Sequence, residues 1–201
     1  SFCRGNWTAP ILAVGLSDDG RELWKDWRSH YVRPSVPVTS WATTSSADFL
    51  ETGFNRFSAL QLNPAWKDAA RLAIHWYVEC VRQASGVEAA IILAQTGLEL
   101  LAWTYLVEDL KVVSHDGLEK LPAADKFRVL LMKCNIALEI PTNLSRLVNF
   151  AAQMSLHDGP ECIVRVRNVL VHSGKKHRKM LDGCSAEIRT QIWTLSLWYF
   201  E

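Results

Sequence analysis

The sequence predicts a mainly α protein, an up-and-down helical bundle preceded by a short β-hairpin and loop segment. Three observations predict it. Apolar residues recur at helical spacing from about residue 63 onward. Helix-opening signals such as Asn63-Pro64 and Asp158-Gly159-Pro160 start successive runs. The connections between those runs are short and carry no strands. The chain has 201 residues, of which 49% are hydrophobic and 21% charged, with a formal net charge of +1. That composition supports one ordinary domain with a buried core and excludes a disordered chain. It also excludes a globally basic nucleic-acid binder, so any electrostatic footprint must be local.

Residues 1–60 read as β or irregular structure. APILAVGL and RELWKDW flank Ser17-Asp-Asp-Gly20, where Asp-Gly signals a turn between extended runs. A Pro/Ser/Thr-rich stretch follows from Arg33 to Ala47, broken by Pro34 and Pro37. Four of the nine tryptophans (Trp7, Trp24, Trp27 and Trp41) fall in this segment. That is more aromatic surface than so short a stretch buries on itself. The final LSLWYFE is helical in pattern, with no terminating cap. Both ends therefore read as cut, and the first 60 residues as the end of an upstream domain of a longer chain.

Residues 61–201 hold six expected helices. The first runs from Asn63 to about Gln83 and the second from about Val87 to Leu110. The third covers about Ala123 to Cys134. Pro141-Thr-Asn143 opens the fourth, to about Met154. The fifth starts at Asp158-Gly-Pro160 and stops at Ser173-Gly174, and the sixth starts near Ser185. The most apolar run, Ala89 to Val107, is interrupted by Gln95 and Glu99, so it reads as a buried core helix rather than a membrane span. Five scattered cysteines, no two closer than Cys162 and Cys184, offer no CxxC pair. They read as reduced thiols in a cytoplasmic protein. His157 and Cys162 recruit no third ligand, so no metal site or cofactor is expected. His75, beside Trp76-Tyr77, reads as a packed core histidine.

The chemistry concentrates in the fifth helix and its exit. Residues 161–180 contain six Lys or Arg against one acid, Glu161. Arg165 and Arg167 lie in the helix, while Lys175, Lys176, Arg178 and Lys179 follow the glycine stop. Such a patch suits phosphates, although a charge run is often only a solvated turn. Within it stands Arg167-Asn168-x-x-x-His172. Arginine supplies a permanent planar clamp for a phosphate, and histidine both takes and gives a proton near neutral pH. Together they suffice for metal-free RNA cleavage by the substrate's own 2′-hydroxyl. Asn168 and His172, four apart, can touch, and a His in the last turn faces the negative end of the helix dipole.

Arg-Asn-Val-Leu-Val-His resembles the Arg-x(4–6)-His motif of the HEPN superfamily, small helical bundles that often carry Asn after the Arg. The resemblance extends over roughly residues 64–201. It includes Gly97-Leu-Glu-Leu-Leu-Ala102, Ala124 to Leu131, and Asp158-Gly-Pro160. It is closest in kind to HEPN domains at the C-terminal end of large bacterial proteins, anti-phage ones and toxins among them. What it implies is a metal-independent endoribonuclease acting as a homodimer, with motifs from both subunits facing a composite cleft. Arg167, Asn168 and His172 would be catalytic, and Arg165, Lys175, Lys176, Arg178 and Lys179 would bind RNA. Glu99 would brace a motif side chain.

Two departures accompany the resemblance. Some HEPN toxins carry a Tyr two residues after the motif His, where this chain has Gly174. On an ideal helix Arg167 and His172 stand about 140° apart, whereas Arg165, Asn168 and His172 fall within about 60° of one another. The motif favours Arg167 and the helical wheel favours Arg165. The alternative reading is a non-catalytic HEPN module that binds RNA or nucleotide, or dimerises a larger protein. A third is a purely structural bundle.

Overall fold

The structure, a computed structural model, describes residues 12–27, 47–82, 86–172, 174 and 183–201. The hairpin forms where Asp-Gly places it. Strands β1 (Leu12–Leu16) and β2 (Glu22–Trp27) pair antiparallel, from Leu12 opposite Trp27 to Gly15 opposite Trp24. Gly20, at φ +81°, takes the left-handed turn position that glycine occupies without strain. Gly15 is equally constrained, because Trp24 folds its indole over the place a Cβ would fill. Trp24 nonetheless stays 56% exposed. Trp7, Trp41 and residues 33–46 lie outside the described residues.

Among the described residues eight helices follow, against the six expected. The first difference is α1, Ala47–Leu62, in a stretch expected to be irregular. Leu50, Phe54 and Phe57 do carry helical spacing. Gly53 and the weak burial of this face hide the signal, since Phe54 is 68% and Leu62 86% exposed. The second difference is α4, His115–Lys120, six residues capped by the Ser114 hydroxyl accepting from Gly117 N–H at 3.1 Å. A single capped turn and a half is too short to announce itself by periodicity.

The remaining helices are α2 (Pro64–Arg82), α3 (Val87–Trp103), α5 (Ala123–Lys133), α6 (Ser145–Gln153), α7 (Gly159–Val171) and α8 (Ala186–Phe200). Asn63 caps α2 as its sequence position requires, its Oδ1 accepting from Ala65 N–H at 3.0 Å. The α6 helix begins at Ser145 rather than Pro141, because Pro141 to Leu144 close a separate turn first. α5 and α6 both end without glycine. Asn135 (φ +55°) and Ser155 (φ +53°) take the left-handed position, and the next amides bond back to Leu131 and Ala151.

α3 is the hub, packing on α2, α5, α7 and α8. It is apolar around its whole circumference, which is the pattern of a helix surrounded by others. Ala90, Ala94 and Ala102 keep its surface low, and Gly97 admits the Phe200 ring of α8 where a Cβ would collide. Past Trp103 the helix widens into a π-helical turn, Thr104–Asp109, closed by Leu110 N–H donating to Tyr105 O at 2.9 Å. Val87–Asp109 is long and apolar enough to cross a bilayer, yet half of its most apolar window is buried inside the protein. It serves here as the core helix. Around it Phe127, Leu147, Ile163, Ile192 and Leu195 are sealed from solvent.

Candidate anion site on the seventh helix

The helix that carries the Arg-Asn-His residues is anchored at its start. Asp158 is its N-cap and accepts from Glu161 N–H at 2.9 Å. The Glu161 carboxylate reaches back to His157 N–H at 2.9 Å, a variant of the capping box. Arg128 of α5 then grips the cap from outside. Its Nε and Nη2 donate to the two oxygens of Asp158 at 2.6 and 3.1 Å, and its Nη1 donates to Asp125 at 2.5 Å. Those carboxylates raise the already high pKa of the guanidinium, with the Asp158 hydrogen bond the largest cause. Gly159 packs so closely on α8 that a Cβ would overlap the Tyr199 hydroxyl. Tyr199 in turn donates to Leu138 O at 3.0 Å, and burial pushes its phenol upward.

The apolar face of α7 fixes its rotation. Cys162, Ile163, Val166 and Val169 are buried, which turns Arg165 out to solvent and leaves Arg167 and Asn168 half-buried. Arg167 Nη1 donates to Asn168 Oδ1 at 3.2 Å, so the asparagine holds the guanidinium and keeps its own amide nitrogen as a donor. Arg167 Nε is buried with no hydrogen-bond partner among the described residues. Among the described residues neither Arg165 nor Arg167 has a carboxylate within ion-pair distance. Arg128 has three and Arg189 has Glu88 at 2.8 Å.

The helix stops earlier than Ser173-Gly174. It ends at Val171, and His172 is the C-cap in an extended conformation (φ −97°, ψ 121°). The His172 N–H still donates to Asn168 O at 3.0 Å, which ties the exposed histidine to the asparagine through the backbone. Arg167 thus lies inside the helix, and His172 stands one position past its last helical residue. Lys175, Lys176, Arg178 and Lys179 lie outside the described residues. Glu99, on α3, accepts from Gln95 Nε2 at 2.7 Å, a contact one turn back along its own helix. His157 is exposed while Cys162 is fully buried, its thiol pushed up to about 12 by desolvation and then by Asp158 and Glu161.

Sequence reading did not single out Arg128. The signal available was local: Asp125 three residues before it, and an Asp158-x-x-Glu161 cap awaiting a counter-charge. Chemically, the α7 exit carries two guanidiniums that have no carboxylate partner among the described residues, an amide donor and an imidazole on one short segment. Groups of these types are the ones that can hold a phosphate diester and transfer protons.

The family model described as YopA C-terminal domain matches residues 63–201, from the cap of α2 to the end of α8. Over its whole length the chain is 28% identical to the SPbeta prophage-derived uncharacterized protein YopA of Bacillus subtilis (strain 168). It spans 44% of that relative's length. No solved structure matches the chain. Since the family match takes in every helix from α2 to α8, well over half of the sequence, the chain belongs to the YopA C-terminal domain family.

Proposed function

We propose that this chain is a metal-independent endoribonuclease domain of the HEPN type, acting as a cytoplasmic homodimer within a longer bacterial protein. One observation carries the reading: Arg167, oriented by Asn168 and without a carboxylate partner among the described residues, precedes an exposed His172 at the end of the same helix. A half-buried guanidinium without a counter-charge is costly unless something anionic completes it, and a phosphate does so in bidentate geometry.

In the proposed reaction the 2′-oxygen of RNA attacks the adjacent phosphorus as His172 takes its proton. The bond to the 5′-oxygen breaks, and that oxygen leaves as a hydroxyl once protonated by the His172 of either subunit. The products are a 2′,3′-cyclic phosphate and a 5′-hydroxyl end. Arg167 neutralises charge on the non-bridging oxygens, and Asn168 fixes its plane. Arg165, Lys175, Lys176, Arg178 and Lys179 hold the flanking backbone, and Glu99 supports the motif from α3. The prophage origin of the Bacillus subtilis relative is in keeping with a toxin or a role in anti-phage defence.

The test is cleavage of total cellular RNA by the purified chain in the presence of EDTA, wild type against His172→Ala and Arg167→Ala. The expected result is metal-free cleavage lost in both variants, with cyclic phosphate ends. RNA binding that survives His172→Ala, with no wild-type cleavage, establishes the non-catalytic module instead.

A further inference from the structure

A second feature lies where α2, the π-helical turn, α5 and the end of α8 converge, and none of its residues belongs to α7. It is a cleft of about 240 Å³ whose walls are almost wholly apolar. Trp66, Tyr105, Tyr199 and Phe200 are the aromatic residues that line it, with Leu131 among the aliphatic ones. Glu201 has the single charged side chain among the described residues that line it.

Several of these groups are held in place. Trp66 Nε1 donates to Asp109 Oδ2 at 2.8 Å, and the Tyr199 hydroxyl donates to Leu138 O. Those polar atoms are therefore already engaged. Tyr105 sits inside the π-helical turn, whose extra residue per turn sets its ring 6.2 Å from Trp66 at a 52° tilt. Such turns recur at functional sites, because an isolated helix gains nothing from the widening. The Tyr77 hydroxyl donates to Glu201 Oε1 at 2.8 Å, which orients the carboxylate and leaves Oε2 unused by that bond.

Aromatic quadrupoles and one oriented carboxylate share a preference for positive charge. An anion meets both as repulsion. A neutral apolar molecule gains the walls but nothing from Glu201. We propose that this cleft binds a small organic cation, an alkylammonium or quaternary ammonium compound of about choline's size. Its methyl or methylene groups pack on the rings and its charge faces Glu201. The cleft is independent of the nuclease reading: its occupancy requires neither Arg167 nor His172.

The experiment titrates the 201-residue chain with choline, and separately with the uncharged alcohol in which carbon replaces the choline nitrogen. The readout is the indole N–H resonance of Trp66, assigned by its loss in Trp66→Phe. The expected result is a saturable shift with choline and binding about tenfold weaker for the neutral isostere. Glu201→Gln removes most of that difference without changing the melting temperature, because Glu201 is exposed. Tyr105→Leu weakens choline more than the isostere. Equal binding of the two probes, no saturable choline shift in the wild-type chain, or unchanged discrimination in Glu201→Gln overturns the proposal.

Discussion

Replacing Arg128 by alanine should loosen the start of α7. Arg128 is 27% exposed and its main partner Asp158 only 14%, so the pair sits between the buried and the surface cases. Removing one partner of a fully buried pair costs about 3–5 kcal/mol, and of an exposed pair at most about 1 kcal/mol. For this geometry the expected loss is about 2–3 kcal/mol. It arises chiefly because the Asp158 carboxylate is left half-satisfied, with Glu161 N–H as its remaining donor. Asp158→Ala also removes the N-cap and adds about 1 kcal/mol. The assay is urea unfolding followed by far-ultraviolet circular dichroism for Arg128→Ala, Asp158→Ala and the double variant. Contact between the two side chains predicts a coupling of about 1–2 kcal/mol, the double variant losing less than the sum. An Arg128→Ala loss below about 0.5 kcal/mol, or strict additivity, refutes the clamp.

Gly159→Ala should cost about 1–3 kcal/mol through overlap with the Tyr199 hydroxyl, and Tyr199→Phe in the same chain should recover part of it. The Leu138 carbonyl keeps a donor in that double variant, namely the amide at position 159. Phe127→Ala empties a fully buried site and should lower the unfolding free energy by about 3–5 kcal/mol, read as a shift of the urea midpoint. Burial holds the Cys80 and Cys162 thiols up to about 12 and Cys184 up to about 11, against an ordinary value of 9.0. The folded state therefore grips these protons more tightly than the unfolded chain does. The resulting stability is complete below pH 9 and is lost as pH rises through those folded values. Urea midpoints measured across that window should fall, and Cys162→Ala should make the fall shallower; a flat profile contradicts the assignment.

Helix starts were legible because they are local. Asn63, Asp158 and Ser185 each bond an amide two or three residues ahead, so residue type and position carry the information. Helix ends were less so. Asn135 and Ser155 do a glycine's work, and the amides after them bond back into their own helices at Leu131 and Ala151. At α7 the glycine at 174 pointed past the true end, where His172 already leaves the helix. The α1 helix was missed because its apolar spacing meets little of the bundle, and periodicity predicts an element best when a core selects for it.

From the sequence alone came the bundle, the hairpin and the identity of the Arg-Asn-His residues, all matters of spacing within a few positions. Tertiary structure decided what lies around them. Arg128 reaches Asp158 across 30 residues of chain, Gly97 receives Phe200 from the far end of the molecule, and Trp66 and Glu201 meet at one cleft. Spacing fixes which face of a helix turns inward, but the partner that face finds depends on how separate helices fill shared space. A side-chain volume or a charge at one position states the need without naming what meets it.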